Sequence, residues 1–307
     1  MPRLNRVRAS RLLLTIATMP ALAAALGAGA VGASPRENGP RDACRSWHTR
    51  TLLTGQGWLE DLEFDGRGAI TISALTQGRI LRLSRNRRLT TLVARVFAPG
   101  GERRLGRYLF FVTGDTLPVK PNGTIERFDL RTGGRIKWAR GLSMPNALVF
   151  LPSSDAVVSR DVGSGTGLTR VRARDRRHPQ LNWARLDDTN GLAVDPTGRW
   201  LYADRTFSRD GEVDRVSIAN PRVVQVVGRL GTGVAPDDMT IDAAGNLFIA
   251  GAGNGRIYRL DPRTHASCSI ARGLNLPTSV RFGGAGWNAR ALYVTDAMGH
   301  LSELTLH

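Results

Sequence analysis

A six-residue pattern recurs along this 307-residue chain at a nearly constant interval, and that regularity restricts the fold more than any other feature. The pattern is glycine, any residue, an apolar residue, any residue, a charged residue, an apolar residue. It appears as Gly78 to Leu83, Gly123 to Phe128, Gly211 to Val216, Gly255 to Leu260 and Gly299 to Leu304, and once with threonine in place of glycine, Thr166 to Val171. The charged position falls at 82, 127, 170, 215, 259 and 303, so the spacing stays within 43 to 45 residues. Short alternating apolar runs at that period mark radially repeated four-stranded sheets. A helical repeat would need long stretches with a 3.6-residue period, and there are none. Further strands flank each copy, such as Ala69-Ile70-Thr71-Ile72 and Asn246-Leu247-Phe248-Ile249 upstream. The last copy runs out of chain before a fourth strand, while Thr49 to Leu53 supplies a matching one near the start. The expectation is an all-β, six-bladed β-propeller over residues 47–307, closed by an N-terminal strand that completes the last blade and removes an exposed edge. The second unit fits least well. Its first strand should fall near Arg95 to Glu102, but the segment reads Val-Phe-Ala-Pro-Gly-Gly-Glu from Val96.

The first residues belong to no blade. Arg3, Arg6, Arg8 and Arg11 form a leader without an acid, and Leu12 to Ser34 is uncharged and increasingly small-residue-rich. This is the pattern of a secretory signal peptide over residues 1–33, with cleavage after Ala33 and a linker over 34–46. A secreted or periplasmic protein is expected, with no membrane attachment after cleavage. Gly27 to Gly32 spells GxGxxG but lies inside the leader, without the strand and helix that a dinucleotide site requires. Export permits a disulfide, and the chain has two cysteines, Cys44 and Cys268. Whether they pair is left open by the sequence.

Composition excludes several classes. There are 43 Lys+Arg against 26 Asp+Glu, a formal charge of +17 that falls to +13 without the leader's four arginines. The arginines are dispersed and aromatics make up 6%, so no basic groove with stacked bases is expected and no nucleic acid partner. No GxSxG elbow, HExxH or P-loop occurs. His48, His178, His265, His300 and His307 lack metal-ligand spacing. Asp204 and Asp296 follow second strands, where turn capping is the expected role.

Propeller inner strands line a central channel, so equivalent positions at their starts converge at one end. Those starts read Leu59-Glu60, Pro145-Asn146, Thr189-Asn190, Pro236-Asp237 and Pro277-Thr278. One register therefore delivers Glu60, Asn146, Asn190, Asp237 and Thr278 from five blades. Carboxylate and amide oxygens without thiolate or imidazole suit a hard divalent cation. The competing reading is that each merely caps a turn.

Three segments carry a family resemblance. Asn190 to Tyr202, Pro236 to Gly251, and Leu276 to Gly284 followed by Leu292-Tyr293-Val294-Thr295 resemble blade motifs of the gluconolactonase/regucalcin (senescence marker protein) family. The resemblance implies one divalent cation held at Glu60, Asn190 and Asp237, Ca²⁺ first and Mg²⁺, Mn²⁺ or Zn²⁺ as alternatives. It implies contact of Asn146 with the substrate or the metal's water, while Thr278 joins the substrate side by register. The activity implied is hydrolysis of a small lactone or ester by a monomer, with Asp237 as ligand and general base. Two departures bear on the substrate. Asp61-Leu62 follow Glu60 where the family has glycine-proline, and Met144 stands where an arginine often grips a sugar-acid lactone. The alternatives are a non-enzymatic binding propeller, or a metal-independent one similar to strictosidine synthase.

Overall fold

Alternating apolar residues flanked by Asp/Gly turns do form strands throughout, and the strands assemble as six antiparallel four-stranded sheets. The structure, a computed structural model, describes residues 44–162 and 167–306. The leader expected over 1–33 and most of the linker over 34–46 lie outside the described residues. Those described fall within one unit, Glu37–His307. Among them no helix is long and apolar enough to cross a membrane.

Five sheets use consecutive strands. The sixth has the order expected for ring closure: His48–Leu53 pairs with the last strand, Leu301–Thr305, and completes the blade begun by Pro277–Phe282 and Leu292–Asp296. The apolar core lies between blades. Six buried clusters occur, each shared by two neighbouring sheets; one joins Val149, Val157 and Trp183 of blade 3 to Leu192, Leu201 and Val216 of blade 4. At roughly 1.5–3 kcal/mol per buried apolar side chain, these interfaces hold the ring together.

The charged residue of the repeat also has a physical role, on the third strand of each blade. Arg82 pairs with Asp65 at 3.0 Å and Arg170 pairs with Asp155. Arg127 and Arg215 instead lie over the rings of Tyr108 and Trp200, each at 4.4 Å. In the last blade the sign reverses, and Glu303 pairs with Arg50 of the closing strand. The two cysteines form a disulfide, Cys44–Cys268, which ties the chain ahead of the closing strand to the outer strand of blade 5. The first strand of blade 2 is Pro99–Leu105, a few residues later than its sequence position suggested.

Candidate functional site at the channel mouth

Two local features turn the inner strands' first residues toward the channel. In blades 1, 2, 4, 5 and 6 the pairing of inner and second strand slips within the first turn, between Leu59 and Leu62, Pro99 and Glu102, Thr189 and Leu192, Pro236 and Met239, and Pro277 and Ser279. Such bulges leave one residue unpaired and re-aim its side chain. Immediately before four of the six inner strands a non-glycine residue takes a left-handed backbone, Ala98, Asp188, Ala235 and Leu276, and in blade 3 Met144 does so four residues ahead of the strand Leu148–Phe150, with φ between 39° and 58°. That conformation is uncommon for such residues and costs energy. Its repetition round the ring reflects one shared turn.

The resulting pocket is lined by Glu60, Asp61, Gly101, Asn146, Ala147, Asp237 and Asp238. Glu60, Asn146 and Asp237, expected here from the register, are brought together. Asn146 Nδ2 donates to Glu60 Oε1 at 3.3 Å and lies 3.4 Å from Asp115 Oδ2. Asn190, also expected here, is not among the lining residues; it is buried and its Oδ1 accepts no hydrogen bond, as is also true of Asp237 Oδ1. Thr278 does not line the pocket. Its hydroxyl donates to Leu59 O at 2.6 Å and lies 3.1 Å from Thr295 Oγ1, inside the sheet contacts.

Several site residues went unread in the sequence. Trp58 donates its indole N–H to Glu60 Oε2 at 2.5 Å. Asp115 and Asp161 lie just past the second strands of blades 2 and 3; Asp115 interacts electrostatically with Glu60, and Asp161 acts on both Glu60 and Asp237. Asp296 caps a turn as expected, accepting from the N–H groups of Met298 and His300. Asp204 corrects that expectation. It is fully buried, accepts from Gly191 N at 2.9 Å, and leaves its Oδ2 without a partner. An acid at the mouth end of a second strand is the signal that would have found Asp115 and Asp161 too.

The site is strongly acidic. Burial pushes Glu60 up to about 7, against the pull of the Trp58 N–H and with a further push from Asp161 and Asp61. Burial, and then the charge of Glu60, raises Asp115 and Asp237 well above the usual carboxylate range. Asp161 rises to about 6, mainly through burial. Below these groups the channel is closed by a separate, balanced network. Arg103 pairs with Asp61 at 2.9 Å and Asp238 at 3.4 Å, Arg281 pairs with the same two acids, and the Ser279 hydroxyl lies 2.6 Å from Asp61 and 2.8 Å from Asp238. Both guanidinium groups are thus committed to Asp61 and Asp238, and Glu60, Asp115 and Asp237 have no cationic side chain to offset them.

This acidic cluster, with buried oxygens of Asp161, Asn190, Asp204 and Asp237 that accept nothing, fits a cation. Among the described residues no three His, Cys, Asp or Glu side chains close into a ligand group. A cation here would therefore rest on amide oxygen as well as carboxylate, a donor set suited to a hard ion.

Comparison with known proteins bears on the fold. Residues 158–298 match the family model described as SMP-30/Gluconolactonase/LRE-like region. That segment of the chain is similar to the family. The solved gluconolactonase of Xanthomonas campestris superposes with a TM-score of 0.71 at 18% identity, covering 91% of this chain and 96% of that one. Regucalcin of Agrobacterium tumefaciens, described as a calcium-binding protein, gives 0.67 at 18% identity, covering 85% and 94%. An uncharacterised protein of Sulfolobus acidocaldarius is 34% identical over 121 residues, which is 36% of this chain and 42% of that relative's length. The six-bladed architecture is common to this chain and the gluconolactonase and regucalcin folds.

Proposed function

We propose that this chain is an exported hydrolase of a lactone or ester, working at the channel mouth with a divalent cation held by Glu60, Asn190 and Asp237. The observation that carries the reading is the pair of buried, unpartnered oxygens, Asn190 Oδ1 and Asp237 Oδ1, on neighbouring blades, with Glu60 acting electrostatically on Asp237. An uncompensated carboxylate cluster at this depth costs stability unless protons or a cation neutralise it. Ca²⁺ suits the donors best. The family region and the calcium-binding description of the regucalcin neighbour support the reading. The Cys44–Cys268 disulfide supports export, because such bonds persist in oxidising compartments.

When bound, the cation supplies Lewis acidity that polarises the substrate carbonyl. The chain's own groups do the rest. Asp237 takes the proton of the attacking water, a general-base role worth roughly 10²–10⁴-fold. Asn146, its Nδ2 held by Glu60 and Asp115, uses its Oδ1 to accept from the attacking water and orient it. Trp58 keeps Glu60 oriented. Elemental analysis of the purified protein, paired with hydrolysis of a small lactone and ester panel before and after chelation, tests the reading. Turnover should vanish with the cation and return with Ca²⁺, and Asp237→Ala should lose roughly 10²-fold or more. Undiminished turnover by chelated protein, or by that variant, overturns it.

A further inference from the structure

Ten large apolar side chains are exposed among the described residues. Leu105, Val223 and Leu306 lie at the end of the ring away from the pocket, Ile136 and Leu181 on outer strands, and the other five at the pocket end. Phe97, Leu117, Phe207, Leu276 and Met298 each have between 46% and 58% of their surface exposed. All five stand at the mouth. Phe97 and Leu276 lie one or two residues before the inner strands of blades 2 and 6 begin. Leu117, Phe207 and Met298 each follow by a few residues a second strand that ends there. Backbone bonds join the loops in pairs: Gly114 N donates to Phe97 O at 2.9 Å, and Ala297 N to Leu276 O at 3.0 Å. The three blades involved, 2, 4 and 6, alternate round the ring, so the residues surround the pocket instead of forming a patch to one side. At the opposite end, the turns of Asp65, Asp195 and Asp242 are polar and bind their own backbone N–H groups.

The pocket itself is small, about 160 Å³ including its open side. It has no enclosed space for even a water molecule, so most of a substrate must lie over the rim. The donors shown in the pocket are already turned inward, Trp58 N–H and Asn146 Nδ2 both to carboxylates. Met144, buried beside Asn146's strand start, adds no charge. In the pocket a polyhydroxylated or anionic substrate would meet carboxylates, and the cationic side chains exposed on the rim loops include Lys120 beside Leu117 and Arg209 beside Phe207. An alkyl chain would be shielded from water.

We infer that the part of the substrate away from the reacting carbonyl is an apolar chain: the proteins's natural class is an alkyl- or acyl-substituted lactone or ester, its chain lying against Phe97, Leu117 and their counterparts. This rests on the hydrolase reading and narrows it. The test compares γ-butyrolactone, its hexyl-substituted homologue γ-decalactone, and glucono-δ-lactone with the Ca²⁺-loaded protein. The expected kcat/KM for the hexyl compound exceeds both others by about tenfold or more, since each buried methylene contributes a severalfold gain. Phe97→Ser with Leu117→Ser, both on exposed loops, should raise KM for the hexyl compound about tenfold with little change in kcat. Equal kcat/KM along the series, or preference for the polyhydroxylated ring, overturns the inference while leaving hydrolysis standing. If none of the three is hydrolysed, the hydrolase reading fails, and tryptophan fluorescence titration decides the rim alone. Tighter binding of γ-decalactone than γ-butyrolactone upholds the apolar class, and equal binding overturns it. Self-association relieved by the same double substitution, without chain-length preference, would assign the rim to protein contact and also overturn it.

Discussion

The indole N–H of Trp58 meets Glu60 Oε2 at 2.5 Å, from a residue only two positions earlier in the chain. This bond favours the charged form of a carboxyl that burial otherwise pushes up to about 7. Trp58→Phe keeps the ring's volume and removes the donor. The expected result is Ca²⁺ affinity about tenfold weaker near neutral pH, read by titration calorimetry, because a hydrogen bond to a charged group contributes roughly 1.5–3 kcal/mol. Wild-type uptake should itself strengthen as the pH rises through about 7, since protons and the cation compete for the same carboxylate. Unaltered affinity in the variant would remove Trp58 from the site.

Gly101 lets two blades approach at the backbone. Its N–H donates to Asn146 O at 2.7 Å, and a Cβ there would stand 2.7 Å from that oxygen, 2.9 Å from Ala147 Cα and 3.0 Å from Leu148 N. None of these is a side-chain end able to rotate away. Gly101→Ala should destabilise the fold by about 1–3 kcal/mol, as overpacking does. It should also displace Asn146 and lower lactone turnover by more than the fraction of protein that thermal melts show unfolded.

Gly101 also shows where sequence reading ran out. The six-fold repeat made the ring, its closure by the N-terminal strand and the positions of Glu60, Asn146 and Asp237 legible, because each depends on a short local pattern. Blade 2 read poorly since its inner strand carries Gly100-Gly101 in place of side chains, and the reason is the close approach of Asn146's backbone from blade 3. Thr278 shares the register of Glu60, yet a carbonyl on blade 1 takes its hydroxyl. The opposed charges of Asp61, Arg103, Asp238 and Arg281 likewise meet only across the channel, and no spacing along the chain announces that.

Glu102 sits where other blades place Leu62, Leu148 or Leu192. It is fully buried; Ser73 donates to its Oε1 at 3.1 Å, and its Oε2 has no partner. Burial, with a push from Asp61, raises this carboxyl well above its ordinary 4.5. The folded protein then holds a proton that the unfolded chain releases. Stability from this group is complete below about pH 4.5 and is lost as the pH climbs toward the raised value, at about 1.4 kcal/mol per pH unit in that window. Glu102→Gln removes the titration. Its melting temperature should exceed that of the wild type at about pH 8, with the gap closing toward about pH 4; a gap that does not change with pH would contradict the assignment.

Ring closure rests on two unlike bonds at the N-terminal strand. Arg50 pairs with Glu303, which also accepts from the Tyr293 hydroxyl at 2.7 Å, and Cys44 is joined to Cys268 across 224 residues of sequence. Arg50 is largely exposed, so its pair is screened and contributes at most about 1 kcal/mol. The disulfide restricts the unfolded chain, and removing such a bond typically costs about 2–5 kcal/mol. The Cys44→Ser, Cys268→Ser double variant should therefore melt well below the wild type, whereas Arg50→Ala should differ from it little. Reductant should lower the wild-type melting temperature toward that of the double variant and leave the variant itself unmoved. A closing strand released in this way exposes the edge of Leu301–Thr305, so the reduced protein should also aggregate faster on heating. Equal melting temperatures with and without reductant would mean that strand pairing and the interblade core alone hold the ring shut.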